Sequence, residues 1–214
     1  MTLAVDAILF DADGVLQTTE EKWWYALSDL IGPSDSDRVA AFFADLQATE
    51  RETLTGSTPF LPPLRELLER WSVTTPAEEV LELWHHIEVD AEMIAAVREL
   101  SAQGVRCALA TNQHLERATH MQQTLDYDEV FEPTFYSCAM GVAKPDPAYF
   151  RYAVSLLGVP PDQVLFIDDT RPNVEGAREA GLVAEYFSKD GGRPELERVL
   201  TPYGWSGAGW VARP

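Results

Sequence analysis

The chain has 214 residues, 46% of them hydrophobic and 24% charged, which suits a globular protein with a sizeable core and excludes a wholly polar, unfolded one. A formal charge of -19 excludes general nucleic-acid binding, which depends on basic patches that displace counterions. It also sets a condition on any anionic ligand, whose site must carry positive charge of its own.

The N-terminal residues carry no basic run, and their short apolar stretch is interrupted by Asp6. Neither a signal peptide nor a membrane span is expected, so the reading is a cytoplasmic protein with no membrane partner. The run "AILF", Ala7–Phe10, reads as a buried strand that stops on Asp11 and Asp13. Like charges so close repel, and an ionised carboxylate beside an apolar strand is costly. The pair is either surface decoration or a cation holder. The same DxD spacing recurs at 35–37 and 126–128, where no strand precedes it, and there it reads as solvated turn or cap residues.

Residues 18–88 break the strand rhythm. Apolar stripes at helical spacing predict four amphipathic helices: Trp23, Leu27 and Leu30; Val39, Phe42, Phe43 and Leu46; Leu64, Leu67, Leu68 and Trp71; Val80, Leu83, Trp84 and Ile87. No strand is expected among them, and the stripes read as the insert's own core. Gln17, Trp23 and Trp24 sit near its start, where they could meet a ligand, though either tryptophan could equally pack the insert.

From about residue 90 strands alternate with helices. "AEMIAAVRELSAQG" is a helix stopped by Gly104; "VRCALA" is a strand that runs into Thr111. "PDPAYFRYAVSLLG" has Asp146 as N-cap, Pro147 as first helical residue and Gly158 as terminator. "VLFI" is a strand ending on Asp168 and Asp169, and "PNVEGAREAG" is a helix ending at Gly181. The expected fold class is α/β: a doubly wound, Rossmann-like parallel sheet core from residues 1–17 and 89–214, with an all-helical insert at 18–88. Cys107 and Cys138 lie in apolar segments without disulfide or metal spacing, as buried free thiols would. His85, His86, His114 and His120 likewise lack metal-site spacing. The Gly- and Trp-rich tail "YGWSGAGWVARP" has no firm reading.

In an open α/β sheet, ligands bind beyond the carboxyl ends of the strands. Asp11, Thr111, and the Asp168–Asp169 pair all fall at such ends, and Gly14 permits a sharp turn after the first. Singly, Thr111 reads as a helix cap and Lys144 as a solvated loop lysine; the set of strand ends together points to a site.

The ordered runs "ILFDADGVL", "ALATN", "KPDP" and "VLFIDD" with "NVEGAREAG" resemble the four motifs of the haloacid dehalogenase-like (HAD) hydrolase superfamily. The resemblance covers residues 5–16 and about 90–190, and the insert's position and helicity resemble the family's C1-type cap. It implies a Mg²⁺-dependent phosphomonoester hydrolase working through an aspartyl-phosphate on a small phosphorylated metabolite. Asp11 would be the nucleophile. Asp11 and Asp169, with the backbone carbonyl of Asp13, would hold the metal, and Asp168 would bind it directly or through water. Asp13 would be the general acid and base, its proton affinity raised by a crowded acidic rim. Thr111 and the backbone around Asn112 would bind the phosphoryl group, and Lys144 would place positive charge beside it, making a locally cationic site. The expected state is a monomer or homodimer. Its nearest alternatives are a haloacid dehalogenase, which generally lacks an acid two residues after the nucleophile, and a phosphosugar mutase. A non-enzymatic alternative is a receiver-like phosphoacceptor, whose acidic pair precedes its acceptor aspartate; here the pair comes last.

Overall fold

A computed structural model describes residues 5–19, 21–32, 34–56, 58–189 and 191–205. Its centre is a five-stranded parallel sheet built from β1 (Ala7–Phe10), β4 (Arg106–Thr111), β5 (Thr134–Tyr136), β6 (Val164–Asp168) and β7 (Val183–Tyr186). The strand order is β5-β4-β1-β6-β7, so the chain departs from the central β1 first to one side and then to the other. Side chains alternate across a strand. Ile8, Phe10, Leu109 and Ile167 accordingly join one apolar cluster, while Ala7, Leu9, Ala110 and Phe166 join another on the opposite face. Helices α5 (Ala91–Ala102) and α11 (Gly192–Leu200) cover the first face, and α9 (Pro147–Leu157) and α10 (Arg171–Glu179) the second. With both faces covered, β1 reads as unbroken apolar sequence and is fully buried. Burying one such large apolar side chain is worth about 1.5–3 kcal/mol.

The expected strand ends shift slightly outward. β4 starts and ends one residue later than expected and β6 takes in one more residue, so Thr111 pairs with Tyr136 and Asp168 with Tyr186 inside the sheet. The predicted caps of α9 are present: Asp146 accepts from Ala148 N–H, Pro147 opens the helix, and Gly158 ends it at φ 66°.

The insert contains α1 (Glu21–Asp29), α2 (Ser36–Arg51), α3 (Leu61–Arg70) and α4 (Ala77–Leu81), which runs into a 3₁₀ turn at Glu82–His85. Leu27, Phe42, Leu46, Phe60, Leu64, Val80 and Trp84 form a cluster of their own. Its edges depart from expectation: β2 (Gln17–Thr19) pairs antiparallel with β3 (Ile87–Val89), a short ribbon joining insert to core. Trp23 packs between Phe43 and Trp84, and Trp24 stacks on Phe43 at 3.7 Å between ring centroids, so the insert's own packing engages both rings.

The insert also rests on α6 (Leu115–Thr124), the helix that follows β4. Glu116 accepts hydrogen bonds from Phe60 N–H at 2.9 Å and Leu61 N–H at 3.0 Å, satisfying free amides at the start of α3. Arg117 Nε donates to the Trp84 carbonyl at 3.0 Å. The buried His114 ring lies 4.7 Å from Phe60, and His120 stacks on His85 at 4.2 Å. Short helices α7 (Tyr127–Val130) and α8 (Ser137–Met140) flank β5. Among the described residues no helix is long and apolar enough to cross a membrane, and both cysteines are free and buried. Trp205 closes the described chain as a buried ring; residues 206–214 of the tail lie outside the described residues.

Candidate active site

The carboxyl end of β1 turns sharply because Val15, Leu16 and Gln17 all donate their N–H to the Ala12 carbonyl. Gly14 takes φ +80°, and a Cβ there would lie 2.2 Å from Asp169 Oδ2. A side chain at this position would therefore push away the acid that β6 delivers. The residue type is dictated twice, by backbone conformation and by close approach.

Asp11 is buried, and its Oδ1 accepts from Ala12 N–H at 2.7 Å and from Lys144 Nζ at 2.8 Å. Lys144 Nζ also reaches Asp168 Oδ2 at 2.7 Å. Asp168 is further held by Asn173 Nδ2 at 2.9 Å and Thr170 N–H at 2.7 Å. Asn112 brackets the lysine's main chain, donating to the Lys144 carbonyl at 2.8 Å and accepting from its N–H at 2.9 Å. The next residue of that loop lies against α10, where a Cβ on Gly176 would fall 2.0 Å from the Pro145 carbonyl oxygen. Thr111 is buried at the end of β4, its Oγ1 accepting from Gln113 Nε2 at 2.9 Å.

These groups share a cavity of about 590 Å³ lined by Asp11, Asp13, Thr111, Asn112, Lys144 and Asp169, with Thr18, Thr19 and Lys189 at its margin. Carboxylate oxygens of Asp11, Asp168 and Asp169 all lie within 4.8 Å of one another. Burial and the Asp168 charge push the Asp11 carboxyl well above its usual range, with Lys144 offsetting only part of this. Burial and Asp168 raise Asp169 as well. For Lys144, burial acts to lower the ammonium's pKa, but Asp11 and Asp168 outweigh it and hold it protonated. A convergence of strained acids with oxygen donors suits a small hard divalent cation, whose charge would relieve them.

Asp13 stands apart from that cluster. Its carboxylate accepts four N–H groups, two per oxygen: Arg117 Nη2 at 2.8 Å and Gln17 Nε2 at 3.0 Å on Oδ1, Arg117 Nη1 at 2.6 Å and Gln113 Nε2 at 2.8 Å on Oδ2. Burial alone would raise this acid, but the Arg117 charge and these hydrogen bonds bring it down to about 2. The expected rise in proton affinity is thus reversed, because Asp13 answers to a buried guanidinium and not to the acidic rim. The Lys144 charge is engaged by Asp11 and Asp168 and the Arg117 charge by Asp13, while Lys189 is a further cation among the cavity's lining residues.

Gln17 is also reassigned. It is buried, donates to Asp13, accepts from Tyr127 O–H at 2.7 Å, and is not among the residues lining that cavity. Gln113, Arg117 and Asn173 escaped the sequence reading as site residues. For Arg117 a signal existed: it lies four residues from both Gln113 and the buried Met121, on the inward face of α6.

A family model described as a haloacid dehalogenase-like hydrolase matches residues 5–181. The chain is 25% identical over 191 residues to the phosphorylated carbohydrates phosphatase of Thermotoga maritima, spanning 85% of this chain and 84% of that protein. It is 28% identical over 188 residues to the N-acetylmuramic acid 6-phosphate phosphatase of Pseudomonas aeruginosa, spanning 84% and 80%. A HAD family enzyme from Bacteroides thetaiotaomicron, solved as a magnesium complex, superposes with a TM-score of 0.74 at 17% identity, covering 91% of this chain and 99% of that one.

Proposed function

This chain belongs to the haloacid dehalogenase-like hydrolase family, and on that premise we propose that it is a Mg²⁺-dependent phosphomonoesterase acting on a small phosphorylated metabolite. The observation that carries the reading is the single cavity in which Asp11, Lys144 and Asp169 converge beside Thr111. Relatives named as phosphatases support the same class of reaction.

Mg²⁺ would be held by the carboxylates of Asp11 and Asp169 and the main-chain carbonyl of Asp13, where it supplies positive charge against the phosphoryl oxygens. Asp168, with donors on both oxygens, orients Lys144. A carboxylate oxygen of Asp11 attacks phosphorus while the bond to the leaving oxygen breaks, and Asp13, which must first take up a proton from solvent against the Arg117 charge, gives that proton to the leaving oxygen. Asp13 then takes a proton from water, whose oxygen attacks phosphorus; the bond to Asp11 breaks and inorganic phosphate departs. Thr111 Oγ1 donates to a phosphoryl oxygen, and Lys144 aims Asp11 and offsets part of the burial that disfavours its charge. Asp13 also favours phosphate over halide, because a halide leaves without needing a proton.

The test is release of 4-nitrophenol from 4-nitrophenyl phosphate in MgCl₂, with and without EDTA. Metal-dependent turnover is expected. Protein that stays inert toward this ester and across a broad panel of metabolite phosphates would refute the reading.

A further inference from the structure

Asp13 sits between two different kinds of donor. Gln17 and Gln113 contribute neutral amides, each with its own oxygen held by another donor, Tyr127 O–H and Arg117 Nη1 respectively. Arg117 contributes a charged, planar fork from the buried side: its side chain is 8% exposed, against 39% for Asp13. The guanidinium is itself fixed from behind. Its Nη1 also donates to Gln113 Oε1 at 2.8 Å and its Nε to the Trp84 carbonyl of the insert at 3.0 Å. Each of its nitrogens therefore has an acceptor, and one of those acceptors belongs to the insert.

We propose that Arg117 is a positioning residue that sets the plane and reach of the Asp13 carboxyl, using the main chain of the insert at Trp84 as its second anchor. The inference rests on the phosphatase reading for its chemistry and on this geometry for its placement. A carboxyl released from the fork would sample rotamers that leave the leaving oxygen out of hydrogen-bond reach, and misplacement by about 1 Å can cost about 100-fold in rate. The insert's seat on α6 is then part of the acid–base apparatus.

The experiment compares kcat/KM for glycerol 2-phosphate and 4-nitrophenyl phosphate in wild type, Arg117→Met, Arg117→Lys, Asp13→Asn and the Asp13→Asn/Arg117→Met double variant. This constant reports the first half-reaction, in which the alkoxide needs a proton and nitrophenolate does not. Arg117→Met should lower it about 100-fold for the alkyl ester and less than about 10-fold for the aryl ester. Arg117→Lys should recover part of the loss, since an ammonium keeps the charge without the fork. In the Asp13→Asn background Arg117→Met should cost little more. Equal losses on both esters, or losses that multiply in the double variant, would overturn the role; if Arg117→Met does not fold, Arg117→Lys decides by the same ratio. A crystal structure of Arg117→Lys supplies a readout without turnover: Asp13 should leave its rotamer while Asp11 and Lys144 keep theirs, and an unmoved Asp13 counts against the proposal. If wild type hydrolyses neither ester nor any member of the metabolite phosphate panel, the phosphatase reading fails, and this structure still judges the positioning role.

Discussion

Asp11 and Asp13 lie one residue apart yet meet opposite surroundings, and that contrast separates their expected behaviour. Asp11 shares a buried cluster with Asp168 and Lys144, so Asp11→Asn removes the nucleophile but keeps the shape. It should abolish turnover by at least about 1,000-fold while leaving the circular dichroism spectrum unchanged. Asp13→Asn should instead discriminate between esters, losing about 100-fold or more on an alkyl phosphate and far less on an aryl phosphate in kcat/KM. At this scale the sequence was informative wherever a residue ends a strand: Asp11, Thr111, Asp168 and Asp169 are legible because an apolar run points each one at the same rim. For Arg117 it offered only a place on the inward face of a helix of mixed polarity, because its partner Asp13 lies 104 positions away in the chain. A charged residue on such a helix reads as solvated until its partner is known. The error about Asp13's protonation follows from that one missing contact.

Among the elements, α6 bears the most consequences, since it follows the strand carrying Thr111 and also supports the insert. Glu116 is the point to probe. Burial would raise its carboxyl, but hydrogen bonds from His114 and from the Phe60 and Leu61 amides lower it from 4.5 to about 2. A depressed folded-state value means stabilisation present above pH 4.5 and lost as pH falls toward 2. Glu116→Gln should therefore cost about 1 kcal/mol near neutrality, a fall of about 2–4 °C in Tm, and the gap from wild type should close through that acid window. A gap independent of pH would show that shape and not charge secures α3. The long elements were legible from periodicity, as with α5 and α9. The strands that escaped notice were β2, β3, β5 and β7, three or four residues each. β2 is "QTT", with no apolar face to betray it, and its pairing is fixed only by β3 some 70 positions away.

For the molecule as a whole, a formal charge of -19 and a cluster of buried acids predict that divalent metal stabilises the fold. At about 100 times its dissociation constant, Mg²⁺ should add about 2.7 kcal/mol, seen as a rise in Tm that EDTA reverses. Asp169→Asn should remove most of that rise; a variant that keeps it would place the metal elsewhere. The α/β architecture was readable because strand and helix runs alternate, whereas the seat of the insert was not, because it is written in main-chain groups that every residue type but proline offers. Glu116 grips the amides of Phe60 and Leu61, and Arg117 grips the carbonyl of Trp84. A lineage could thus exchange almost any side chain along the insert's cavity-facing surface, trying new substrates, without loosening its moorings. A graft from a distant cousin, however similar in letters, would drift unless its backbone arrived at those same three points.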